Sequence, residues 1–280
     1  MSTTTATPTR AVGRVPAAGR AGFRGLLLAE WTKLRSVRST VWSLATMVVL
    51  ALGITGLATG IYSAHWGSMS PGERAQVLAD PIGLILQPGS TYGQIAICVL
   101  GVMVMASEYS TGMIRASLLA VPRRTPMLAA KAAAFATVVF VLAELVALSS
   151  FFLGQAVLSP HVAIGIGHPG VPRAILGLGL YLSVIGLFAM AIGAVVRHVA
   201  GSIAVTLGFL VVLSPLASLL PGSLGAHVNA YLPGNAGQLI MSSGRDPSQL
   251  LTPWQGFGVM CLWTAVLMTL AALLLRRRDA

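Results

Sequence analysis

Charge is what this sequence has least of. Only 9% of its 280 residues are Asp, Glu, Lys or Arg, against about 25% in soluble domains. So few charges cannot clothe a water-facing surface of this size, which excludes an ordinary soluble globule. Lysine occurs only at Lys33 and Lys131, and neither follows a glycine-rich loop. No G-x-x-x-x-G-K-[ST] motif is present, so the chain has no recognisable means of hydrolysing ATP. The five histidines are scattered, without an H-E-x-x-H pair. A serine hydrolase within the membrane needs serine and histidine on facing spans. Ser202 in "AGSIA" is available, but no apolar run carries a histidine at its centre. Cysteine occurs only at Cys98 and Cys261, both inside apolar runs. Two isolated cysteines make neither a disulfide framework nor a zinc site and read as small packing residues.

Apolar sequence fills the space that charge leaves. Hydrophobic residues make up 55% of the chain and the mean hydropathy is +0.83. Six runs reach or approach the roughly 20 residues that cross a bilayer. They are Thr40–Tyr62, Tyr92–Ser107, Ala130–Leu153, Ala174–Val196, Val199–Leu220 and Gln255–Leu275. Each is continuously apolar rather than alternating, so all are read as helices. The second is short and is expected to begin a few residues earlier. Pro215 is expected to kink the fifth or end it early. Between the fifth and sixth, "LPGNAGQLIMSSG" offers a short helix. The fold class is all-α integral membrane, with six transmembrane helices.

Basic residues set the orientation. With both termini on one side, fifteen of the 18 Lys and Arg residues fall there, leaving Arg74, Arg173 and Arg245 opposite. Positive residues stay cytoplasmic, so a multi-pass protein of the cell membrane with both termini cytoplasmic is expected. The net charge of +11 then reflects topology and attraction to anionic headgroups rather than nucleic-acid binding, for which no basic–aromatic surface motif is present. Residues 1–21, rich in Thr, Ala, Pro and Arg and without an acid, read as a disordered basic cytoplasmic tail. Residues 22–280 form the membrane domain.

Two elements on the basic side carry more pattern. In "GFRGLLLAEWTKLRSVRST", Phe23, Leu27, Trp31 and Leu34 recur at helical spacing, with Arg24, Lys33, Arg35 and Arg38 around them. That is an amphipathic helix lying in the membrane interface, or else an extension of the first span into water. In "SEYSTGMIRASLLAVPRRTPMLAAK", Ser107–Lys131, Ser110 or Thr111 can cap a helix. Ile114, Leu118 and Val121 share one face, and Pro122 stops it. A short amphipathic helix is expected here, with a topology-fixing polar loop as the alternative. One acid, Glu144 in "FVLAELVAL", falls inside a span. It reads either as a protonated acid bonded to a neighbouring helix or as a transport-path or proton-coupled group.

The Ser107–Lys131 segment resembles the cytoplasmic loop of type 2 ABC transporter permeases, particularly their actinobacterial branch. Its E-Y-x-x-G-x-I-R core is Glu108, Tyr109, Gly112, Ile114 and Arg115. "AEWTKLRSVRST", "NAYLPGNAGQLI", "PWQGFGVMCLW" and "LLLRRRDA" follow the same family's order, so the resemblance covers most of residues 25–280. The resemblance implies six spans, an N-terminal interfacial helix containing Phe23, Leu27, Glu30, Trp31, Lys33 and Leu34, and a coupling helix between spans two and three. It implies no nucleotide site and no cofactor on this chain: ATP and Mg belong to a separate ABC ATPase subunit. It also implies a second permease copy, identical or related. Carried over, Glu108, Tyr109, Gly112, Ile114, Arg115, Leu118, Arg123 and Arg124 are coupling or docking residues. The expected function is the membrane subunit of an ABC exporter, not itself an enzyme. The alternatives are a stand-alone secondary transporter, for which Glu144 is the only candidate acid, and a membrane scaffold or regulator.

Overall fold

The computed structural model describes residues 22–113, 124–162, 164–244 and 249–277. Among these there are helices and turns and no strand. Six helical stretches are long and apolar enough to cross a membrane, so the chain is a multi-pass α-helical membrane protein. The tail, residues 1–21, lies outside the described residues.

Helix α1, Phe23–Ser36, precedes the first span and ends at Val37, whose extended backbone breaks it from α2, Arg38–His65. Helix α3, Pro71–Ala79, begins with a capping box. There the Ser70 hydroxyl and backbone N–H donate to Glu73 at 2.8 and 2.7 Å, which holds its carboxyl below the usual range. Helix α4, Pro81–Ser110, is the second span and starts eleven residues before Tyr92. Pro88, Ser90 and Gln94 interrupt the apolar pattern there, yet all three are buried inside the helix. Asp80 starts it, accepting from the Gly83 N–H at 3.0 Å, with Pro81 at the first helical position.

The third span is α5, Arg124–Leu158, and the fourth is α6, Val171–Val196. A tight turn follows, in which Arg197 is left-handed at φ 62° and His198 caps the next helix. The fifth span runs through α7, Val199–Leu207, a π-helical stretch, Gly208–Val212, and α8, Leu213–Ser218. The wide turn lies just ahead of Pro215, which has no N–H to give and whose ring crowds the preceding turn. The span is therefore loosened at Pro215 and ends at Ser218 rather than Leu220. The short helices α9, Gly222–Ala230, and α10, Pro233–Gln238, lead to α11, Pro253–Arg277, the sixth span.

Helices α4 and α6 form the centre, and the others surround them. They meet at Gly101 and Gly186, where a Cβ on Gly101 would fall on the Gly186 carbonyl. Phe135 lies against Gly186 there, and Phe151, Tyr181 and Phe188 are buried elsewhere in the core. The helix expected in "LPGNAGQLI" is α10, and it is not a surface element. Pro233, Gly234, Ala236 and Gly237 are buried. Trp263, ten residues into α11, donates from Nε1 to the Tyr231 carbonyl just before α10, at 3.0 Å. Ten helical residues span about 15 Å, so this segment dips deep alongside the sixth span, where protein rather than lipid must satisfy its backbone.

A charge cluster at the basic end of the bundle

The four residues of the central cluster come from three elements. Glu30 and Lys33 lie one turn apart on α1, Glu108 is in the last turn of α4, and Lys131 is two turns into α5. Lys131 Nζ donates to Glu30 Oε2 and to Glu108 Oε1, each at 2.7 Å. Lys33 Nζ donates to the same Glu108 oxygen. Both lysines of the sequence are thus committed to one site. The Lys131 side chain is 1% exposed and that of Glu108 3%, whereas Lys33 keeps 33%. Buried charges are tolerated only with partners in good geometry, and charge-assisted hydrogen bonds supply that geometry. The cluster therefore fixes α1, span two and span three relative to one another.

Helix α1 turns a different face to the bundle from the one its apolar spacing suggests. Leu34 is buried, and Leu27, Glu30 and Lys33 are partly so, while Phe23 and Trp31 are 51% and 41% exposed. The ion pairs, not the tryptophan, point inward. Phe23, Leu28 and Trp31 remain as an exposed apolar side.

Glu108 and Tyr109 belong to the second span itself. Ser110 and Thr111 close α4. Their hydroxyls donate to the Ser107 carbonyl at 3.0 and 2.8 Å. Gly112 follows at φ 70°, the left-handed position that commonly ends a helix and that glycine adopts without strain. Ile114, Arg115, Leu118 and Arg123, and with them the expected coupling helix, lie outside the described residues. Arg124 begins α5 six residues ahead of Ala130.

The flanks of residues 114–123 are tied to the rest of the bundle. The Arg197 guanidinium, in the turn between spans four and five, stacks 4.8 Å from the Tyr109 ring centroid. It also donates to the Leu274 carbonyl of span six at 3.4 Å. Arg276 Nη2 donates to Thr125 Oγ1 at 3.0 Å. Lys131 and Arg197 were not singled out by sequence reasoning as site residues. The signal available for Lys131 was its rarity: one lysine at the edge of an apolar run, with few acids to meet.

Two further polar features lie inside the bundle. Tyr181, wholly buried in span four, donates to Gln94 Oε1 of span two at 2.5 Å. Gln238 Nε2 at the end of α10 donates to the tyrosine oxygen at 3.3 Å. The expected bond from Glu144 to a neighbouring helix is absent at one oxygen: Oε1 is buried without a hydrogen-bond partner among the described residues. Its carboxylate packs in the space that Gly179 leaves on span four. At the opposite end, Asp80 Oδ1 accepts from Ser243 N–H and Oγ at 3.0 and 2.6 Å, fastening the segment between spans five and six to the start of span two. The two cysteines are unpaired. No model of a known protein family matches the chain, and no curated protein is similar to it.

Proposed function

We propose that this chain is the membrane subunit of an ABC exporter, acting as a dimer and driven by ATP turnover on a separate ATPase. One observation supports the reading above the others. Residues 114–123, which carry the permease-like loop, are bracketed by Glu108 and Lys131, and those two side chains are bonded to each other. A force applied to that loop therefore reaches spans two and three together, and α1 through Glu30 and Lys33. The Arg197–Tyr109 stack extends it to the turn between spans four and five.

In this reading the basic end faces the cytoplasm of a cell membrane and the ATPase docks on residues 114–123. Ile114 and Leu118 supply an apolar face to the partner, and Arg115, Arg123 and Arg124 supply cations. The partner drives a change only if it binds one arrangement of the permease better than the other. With α1, span two and span three cross-linked by ion pairs at the basic end, these elements move as a unit and keep that differential affinity from being lost in local loop motion. Phe23 and Trp31 hold α1 at the membrane interface.

The test is affinity purification of the detergent-solubilised chain, followed by mass spectrometry, with and without Arg115→Glu plus Arg123→Glu. The expected result is a soluble ATPase with the parent chain and none with the variant. A folded parent chain that brings no ATPase contradicts the reading. An ATPase retained by the variant removes the arginines from the docking surface.

A further inference from the structure

A cavity of about 520 Å³ lies at the end of the bundle opposite the charge cluster. That volume is typical of small-molecule sites, which run from roughly 300 to 1,000 Å³. The end of span one, α3, the first turns of span two and the end of α10 enclose it. One wall is a single face of α3, where Glu73, Gln76 and Val77 are followed at helical spacing by Asp80. Span two adds Leu84, Gln87 and Ser90. Glu73, Gln76 and Gln87 are exposed, so the cavity is open at the surface. Two carboxylates line it, and no lysine, arginine or histidine among the described residues does.

The groups that the fold orients in this lining are acceptors. Glu73 takes its side-chain bonds from Ser70 at Oε2, which leaves Oε1. Asp80 takes all three of its bonds at Oδ1, from Gly83 and Ser243. Its Oδ2 has no donor among the described residues and, unlike Glu108 Oε2 and Glu144 Oε1, is not a buried atom. Ser90 and Ser242 spend their hydroxyl protons on the Gln87 and Gly244 carbonyls, leaving lone pairs only. A buried chain behind the cavity sets the last acceptor. At 2.5 Å the contact between Tyr181 and Gln94 Oε1 has the length of an O–H donor's bond. The tyrosine oxygen is then left to accept from Gln238 Nε2. Gln238 Oε1 is neither bonded among the described residues nor buried, and Gln238 lines the cavity.

The spacing of the carboxylates narrows the ligand further. Seven residues separate Glu73 from Asp80, about 10 Å along the helix. Glu73 folds back onto Ser70, and Asp80 turns forward onto Gly83 and Ser243. A single divalent ion, which holds its oxygens at about 2.0–2.6 Å, does not bridge them. A molecule that answers both has two cationic donors joined by a spacer, and Met69, Val77, Leu84 and Met241 offer apolar surface to that spacer. We propose that the cavity binds an aliphatic polyamine. One ammonium donates to Asp80 Oδ2, another to Glu73 Oε1, and an N–H between or beside them to Gln238 Oε1. Ammonium groups donate and do not accept, and charge on both partners makes such bonds the strong ones. The inference stands on the cavity alone and does not require an ATPase.

The test is isothermal titration calorimetry of the purified chain in non-ionic detergent with spermidine. The comparison ligand is 8-amino-1-octanol, a chain of similar length with one ammonium replaced by a hydroxyl. Spermidine is expected to bind more tightly, and magnesium chloride at equal charge not to displace it. Asp80→Asn is expected to weaken spermidine about tenfold, the weight of one hydrogen bond to a charged group. Glu73→Gln is expected to weaken it about two- to fivefold, since an exposed ion pair is worth less. Asparagine still caps a helix and glutamine still closes a capping box, so both variants remove charge and keep the local fold. Gln87→Trp, which fills the cavity from an exposed position without touching either carboxylate, is expected to abolish binding. Equal affinity for the two ligands, displacement by magnesium, or no spermidine binding to the parent chain overturns the proposal. So does spermidine binding that survives Gln87→Trp, which decides the matter if Asp80→Asn fails to fold.

Discussion

Lys131→Met is expected to destabilise the solubilised protein by about 3–5 kcal/mol, the usual cost of removing one partner from a buried ion pair. The side chain is 1% exposed and bonds two carboxylates. Methionine fills most of its volume, so the cavity contribution is small. What remains is Glu108, buried with only Lys33 beside it, and Glu30 without its lysine. Adding Glu108→Gln takes away the stranded charge and is expected to restore at least half of the loss. Coupling of that kind between touching residues is what a double-mutant cycle measures. Denaturant or thermal unfolding of the four proteins in one detergent supplies the cycle. Additive effects, or a neutral Lys131→Met, mean that the three elements are not held by these charges.

Gly101→Leu is expected to abolish the folded, monodisperse protein. A Cβ at Gly101 would fall on the Gly186 carbonyl, and one at Gly186 would lie 2.7 Å from the Phe135 ring and 2.8 Å from Ile97. Backbone cannot swing aside as a long side chain can, so the two central spans must separate. Gly101→Ala is the graded form, costing about 1–3 kcal/mol as an overpacked core does. Gly53 supplies the control: it is helical, and a Cβ there meets nothing within 4 Å. Gly53→Ala is expected to be neutral or to stabilise by about 0.5–1 kcal/mol, since glycine weakens a helix interior. Size-exclusion profiles and unfolding midpoints separate the three variants.

The number of spans and their approximate positions could be read from the sequence because bilayer crossing imposes length and hydropathy on each helix separately. What was illegible depends on pairing between helices. The start of span two was hidden because Pro88 and Ser90 lower its hydropathy, and only their burial shows that they belong inside. The apolar spacing of Phe23, Leu27, Trp31 and Leu34 identified α1 but not which side faces the bundle. That choice is made by Glu30 and Lys33, through partners 101 and 75 residues away. Ser110 and Thr111 suit either end of a helix locally, and their bonds to the Ser107 carbonyl, with Gly112 left-handed after them, show that they end α4. The depth of α10 comes from glycines that let it approach spans four and six, a property of surfaces that meet only in the folded chain.

The central claim is that this bundle moves when a partner turns over ATP. It is tested most directly by measuring one distance across the end opposite the charge cluster. Leu57 and Leu219 are both exposed, on the first span and just after the fifth. In a Cys98→Ala, Cys261→Ala background, Leu57→Cys and Leu219→Cys accept spin labels. The labelled chain, diluted with unlabelled copies and reconstituted with its co-purifying ATPase, is then read by pulsed electron resonance. A distance distribution that shifts on adding ATP is the predicted result. An unchanged distribution, with the ATPase bound and hydrolysing, contradicts the transporter reading and leaves a membrane scaffold in its place.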